Sequence, residues 1–136
     1  MDLNTKLKAA ALCKLENDSK RNTKRALLDE FKASTRPKRD DLIEIQQACD
    51  TDKASLCTEI DAYRGLNYDE FCRQIKQCDD DWAEAQFELD ELAAQRERLI
   101  LAIMDAIVLC EESDRQVELL LIEMDEQVNG ISKPAI

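Results

Sequence analysis

FCRQIKQCDDDWAEAQFELDELAAQRERLILAIMDAIVLCEESDRQVELLLIEM, residues 71–124, can be walked from end to end in alternating steps of four and three. The walk touches Phe71, Ile75, Cys78, Trp82, Ala85, Leu89, Leu92, Arg96, Leu99, Ile103, Ala106, Cys110, Ser113, Val117, Leu120 and Met124, and only Arg96 and Ser113 are polar. A 3.5-residue apolar repeat held this long marks a helix supercoiled against a partner. Neither Pro nor Gly interrupts it, so nothing in the backbone chemistry forces a break. Two outcomes stay open at Glu111-Glu112-Ser113-Asp114: an unbroken helix, or a fresh one capped by Ser113 with Gln116 at its third position.

Upstream, a second seam runs Leu42, Ile45, Cys49, Asp52, Leu56, Ile60, Tyr63, with Asp52 its one bad step. Arg64-Gly65 supplies a helix end and Asn67 to Glu70 a capping-box spacing, so a tight turn is expected at 65–67. The expected fold is all-α: a helical hairpin with one long coiled-coil helix, assembling into a helical bundle. The arms are expected to be unequal, about 36 Å for 41–64 and about 93 Å for 68–129 at the rise of an α-helix. On that reading the short arm reaches only the Phe87–Leu92 layer. Beyond it Leu99, Ile103 and Ala106 are backed by Leu101, Met104 and Val108 and widened by Ile100 and Ile107, an almost all-round apolar layer that calls for cover from another chain.

The N-terminal third reads differently. Leu3, Leu7, Ala10, Ala11 and Leu15 suggest a short amphipathic helix, but Glu16 to Arg25 carries no large apolar residue. Pro37 biases the residue before it away from helix. The expected organisation is therefore a basic helical segment and linker over 1–39, the hairpin over 40–129 and a tail over 130–136, with Gly130 ending the last helix.

Charge follows the same division. The chain carries a net −11, yet residues 1–39 hold 11 Lys/Arg against 5 Asp/Glu and residues 40–136 hold 8 against 25. Complementarity between segments or subunits explains such blocks most simply. The sharper alternatives are phosphate contact through Lys20, Arg21, Lys24, Arg25, Arg36, Lys38 and Arg39, or an acidic surface that imitates nucleic acid. The two basic clusters also fit the loose spacing of a bipartite nuclear-import signal, although Leu27, Leu28 and Phe31 between them look like packing residues.

Catalytic chemistry has little to stand on. The chain contains no His, which removes imidazole as base, as nucleophile's partner and as metal ligand. Cys13, Cys49, Cys57, Cys72, Cys78 and Cys110 include no Cys-x-x-Cys pair, and Asp79-Asp80-Asp81 fans around a helix instead of converging. Neither an enzyme, a cofactor nor a metal is expected. Six Cys with no secretory leader point to reduced thiols inside the cell, cytoplasmic or nuclear, and the 99–110 run is too short to span a bilayer. The expected function is that of a non-enzymatic structural or adaptor subunit of a homo- or hetero-oligomer. Its assembly interface is expected at Leu92, Arg96, Leu99, Ile103, Ile107, Val117, Leu120 and Met124, with Arg96 setting register. The alternative is an acidic inhibitor that binds a basic protein surface.

Overall fold

The computed structural model describes residues 2–63 and 68–132. Apart from Asp2 these form two helices, α1 (Leu3–Tyr63) and α2 (Tyr68–Ser132), joined as an all-α helical hairpin. No strand occurs among the described residues. The turn expected at 65–67, with its Gly65 and Asn67 caps, lies outside them. α2 runs past Gly130 to Ser132, so that glycine does not end it. Nor does α2 break at 111–114: Ser113 Oγ donates to the Leu109 carbonyl at 2.9 Å and serves the helix interior instead of a cap.

The larger departure is in α1, which carries Pro37 inside a continuous 61-residue helix. The stretch 16–25, expected as a linker or an exposed helical turn, and the expected stop at Pro37 are both helical. The reason lies in phase. The inward side of α1 reads Leu3, Leu7, Ala10, Lys14, Asn17, Arg21, Lys24, Leu28, Phe31 and Thr35, each buried or half-buried, and the steps of four and three never slip. Polar residues hold the central positions, but Lys and Arg bury their aliphatic stems as readily as shorter apolar side chains. Asp2 caps the start, its Oδ1 accepting the Thr5 N–H at 2.7 Å. That bond holds its carboxyl below the ordinary value.

Pro37 removes one backbone donor and crowds the preceding turn. Ser34 and Thr35 both donate their hydroxyls to the Phe31 carbonyl, at 3.2 and 2.7 Å, in the turn that leads into it. After Thr35 the inward side skips to Leu42, since Lys38 is exposed. It then steps four to Gln46, so Ile45 faces out. From there it runs Cys49, Lys53, Leu56, Ile60. The seam expected through Ile45 and Asp52 is therefore rotated by one residue, and the bad step disappears because Lys53, not Asp52, turns inward. A one-residue slip of this kind locally unwinds a heptad-based pairing.

The contacts divide the chain into two units, residues 30–97 and residues 1–29 with 98–136. In the first, Leu42, Cys49 and Ala85 are buried. Gln46 Nε2 donates to Gln86 Oε1 at 2.9 Å and to the Trp82 carbonyl at 3.4 Å, while Lys53 Nζ meets Asp79 at 2.8 Å. Partners on α2 move backward as those on α1 move forward, which is antiparallel pairing. In the second unit Ile103, Ala106, Cys110, Ser113 and Leu120 are buried. Asn17 meets Ser113 and Leu109, and Lys14 meets Asp114. A polar segment of α1 thus meets α2 beside the layer that was expected to lack cover from its own chain, where Ile103, Ala106 and Cys110 are buried.

Replacing Pro37 tests the continuity of α1. Proline inside a helix costs about 3 kcal/mol, and its stiffening of the unfolded chain returns at most about 1. Pro37→Ala is therefore expected to raise unfolding stability by roughly 2 kcal/mol, read by urea denaturation followed by circular dichroism. A helix ending before Pro37 would leave stability unchanged or lower.

Candidate functional site

Within residues 30–97 two hollows lie along the pair. The larger, about 520 Å³, is floored by Phe31, Ile43, Leu89 and Leu92 and rimmed by Lys32, Arg36, Arg39, Arg96, Asp40 and Asp90. It sits beside Pro37, where no α1 side chain fills the inward step. Arg96 is exposed on this rim, and Leu92 is half-buried in its wall. The smaller hollow brings Cys49 and Cys78 together with Trp82 and the Lys53–Asp79 pair. Both thiols are pushed up, first by burial and then by neighbouring carboxylates, Asp81 for Cys49 and Asp52 for Cys78. Thiols so shifted are poor nucleophiles. Trp82, on the walked seam, is nonetheless exposed.

In the other unit a polar layer crosses the pair. Asn17 Nδ2 donates to Ser113 Oγ, and lies 3.4 Å from the Leu109 carbonyl and 3.7 Å from Cys13 Sγ. Ser113 is 6% exposed, the buried polar residue of the described chain. A polar residue inside an apolar seam admits only the alignment that gives it a partner. Ser113 holds such a position between α1 and α2, and Arg96 is exposed. Lys14 adds a bridge to Asp114 at 2.8 Å and Asp18 at 3.1 Å. Its ammonium is raised by Asp114 and then Asp18, and the Asp18 carboxyl is lowered by Lys14. The bridge is complete across the neutral range. It fades as pH falls through the depressed Asp18 value, below the usual figure of about 3.9, or rises through the raised Lys14 value, above about 10.4. Being partly open to solvent, it contributes little to stability.

Arg21 is half-buried, and its Nε is buried without a hydrogen-bond partner.

Of the residues expected to form an assembly interface, Ile103 and Leu120 are buried, while Leu99, Ile107, Val117 and Met124 are half-buried. They share the face of Ser113, which α1 occupies. The opposite face of α2 is different. Leu101, Met104, Val108, Leu119 and Ile122 are each about half exposed. Sequence reading singled out the first three as a stripe behind the seam, but stopped short of Leu119 and Ile122, which continue it at the same spacing. Of the basic residues weighed as phosphate contacts, Lys20, Arg25, Arg36, Lys38 and Arg39 are exposed, and Arg21 and Lys24 half-buried.

Among the described residues no three metal-ligating side chains gather, and no helix is long and apolar enough to cross a membrane. The chain matches no protein-family model, no curated protein and no solved structure.

Two measurements address this site. A double-mutant cycle of Asn17→Ala and Ser113→Ala is expected to give a coupling of about 1 kcal/mol by urea unfolding, the size of one net hydrogen bond. Zero coupling would mean that the layer does not join the helices. Brief alkylation of the folded protein, read by mass spectrometry, is expected to label exposed Cys57 and Cys72 at least about tenfold faster than Cys49 and Cys110.

Proposed function

We propose that this chain is a non-enzymatic structural or adaptor subunit, a helical hairpin that assembles as a coiled coil into a larger bundle. The observation that carries this reading is the distribution of exposed apolar side chains. Residues 30–97 expose Ile45, Tyr68, Trp82 and Phe87, scattered singly. The other unit exposes Leu12, Leu15 and Leu27 on α1, and Ile100, Leu101, Met104, Val108, Leu109, Leu119, Leu121 and Ile122 on α2. Single exposed apolar residues are ordinary, whereas a contiguous stripe marks an interaction surface. A helix with apolar stripes on two opposite faces is built to be covered on both, and α1 covers one. Burying the exposed half of each large side chain contributes on the order of 1 kcal/mol. Free thiols at all six Cys suit a reducing, intracellular setting.

A second reading rests on charge. Residues 30–97 hold 18 Asp/Glu against 9 Lys/Arg, a surface that suits a basic protein partner as an acidic inhibitor would. Salt separates the two, because screening weakens a charge-held complex and leaves an apolar one intact.

Light scattering with hydrophobic-dye binding tests the leading reading. The wild-type chain is expected to associate, or, if monomeric, to bind dye strongly. Leu101→Asp with Met104→Asp is expected to remove either behaviour without loss of helix. A wild-type chain that at about 100 µM is monomeric and binds no dye overturns the reading.

A further inference from the structure

The hollow beside Pro37 inverts the charge balance of the unit that contains it. Residues 30–97 hold 9 Lys/Arg against 18 Asp/Glu. The hollow is lined by four of those cations, Lys32, Arg36, Arg39 and Arg96, and by two carboxylates, Asp40 and Asp90. None of the four cations takes part in an ion pair among the described residues. Asp90 is engaged along its own helix, accepting from Gln86 Nε2 at 2.9 Å. We propose that this hollow binds a small amphiphilic monocarboxylate, its apolar body against Phe31, Ile43, Leu89 and Leu92 and its head group held by arginines of both helices. None of these residues belongs to the exposed stripe of α2 on which the assembly reading rests.

Local sequence explains both why the hollow is open and why it is cationic. After Thr35 the inward side of α1 skips to Leu42, which leaves residues 36–41 exposed, and on α2 every residue from 93 to 98 is exposed as well. Neither helix supplies a side chain to fill the gap, while Phe31, Ile43, Leu89 and Leu92 stay half-buried around it. Lys32, Arg36 and Arg39 follow one another in steps of four and three, the spacing that sets side chains on one face of a helix. Like charges so spaced disfavour the helix that carries them, and a bound anion offsets that repulsion.

Each part of the lining narrows the ligand. A guanidinium presents a planar fork that matches a carboxylate bidentately, and Arg36 and Arg39 on α1 with Arg96 on α2 offer that fork from both helices. A bare inorganic anion would leave the apolar floor in water, so the ligand needs an apolar body as well as a charge. Asp40 and Asp90 repel a second negative charge, which favours a singly charged head over a phosphate monoester. Glu91 and Glu97 are near in sequence but do not line the hollow. Its volume, about 520 Å³, falls within the range of roughly 300–1,000 Å³ that small-molecule sites occupy.

The test titrates the full chain with dodecanoate, kept below its micelle concentration, in a calorimeter. The wild type is expected to take one molecule per chain with a dissociation constant of about 100 µM or below. Dodecyltrimethylammonium, which has the same chain and the opposite charge, and acetate, which has the charge without the chain, are each expected to bind at least about tenfold more weakly. Arg36→Gln with Arg96→Gln is expected to weaken dodecanoate at least about tenfold. Lys8→Gln with Lys76→Gln makes the same change of charge at exposed positions outside the hollow and is expected to stay within about threefold of the wild type. The two control ligands act on the wild type alone, so part of the test does not depend on how a variant folds. No binding of dodecanoate by about 1 mM overturns the proposal. Equal binding of the cationic amphiphile, or binding indifferent to loss of Arg36 and Arg96, overturns it too, since the amphiphile would then be held by exposed apolar surface without the arginines. Dodecyl phosphate binding more tightly than dodecanoate overturns the assignment to a monocarboxylate.

Discussion

A buried hydroxyl is among the contacts that hold register in this hairpin. Two long helices whose inward faces repeat every three or four residues could slide past each other by a heptad with little change in apolar contact. Ser113 removes that freedom. Buried like Ala106, Cys110 and Leu120, it donates to its own Leu109 carbonyl and accepts from Asn17, and a heptad slip would put Ala10 or Lys24 where Asn17 stands. Lys14 reinforces the same alignment from outside, and within residues 30–97 the Gln46–Gln86 and Lys53–Asp79 contacts play a comparable part. Each contact is modest in energy. Their value is specificity, because a slipped pair would leave a buried hydroxyl and an amide without each other.

Size complementarity explains why so few residues are fully buried. Where α1 presents Lys14, Asn17, Arg21 and Lys24, α2 presents Ala106, Cys110 and Ser113. Lys14 and Asn17 reach across to Asp114, Ser113 and Leu109, and the guanidinium Nε of Arg21 is buried. The arrangement seals one side of α2 and leaves the other side apolar and open. A two-helix pair cannot wrap a helix that is apolar on opposite faces, and that geometric fact underlies the proposed role.

The two helices were unequally legible in the sequence. α2 announced itself because its inward residues are apolar, and nearly every position of the three-and-four walk from Phe71 to Met124 is buried or half-buried. Trp82 and Arg96 are the exceptions, both near the rims of open hollows. α1 hid because its seam is polar from Lys14 to Lys24, and a search for apolar periodicity stops there. A signal was nonetheless present: Leu7 and Leu28 lie three heptads apart, and Leu28 and Leu42 two more, so the phase survives the polar stretch and Pro37 alike. Past Leu42 the apolar pattern misled. Ile45 and Asp52 matched a heptad continued without interruption, but the slip beside Pro37 turned Gln46 and Lys53 inward. Which side of α2 stays uncovered also depended on knowing that α1 is continuous, and only the folded chain supplies that.

The polar contacts also impose an order on folding. Lys53 and Asp79 are separated by 26 residues, whereas Asn17 and Ser113 are separated by 96. Closing the longer loop from an open chain costs about 1 kcal/mol more entropy than closing the shorter one. Once the near contacts have formed, the chain left to close around Asn17 and Ser113 is far smaller, and most of that penalty disappears. The cheapest route is a zipper that starts at residues nearest the chain reversal and ends with the termini. During that interval the inward face of α2 around Ser113 lies open, because the part of α1 that covers it docks last.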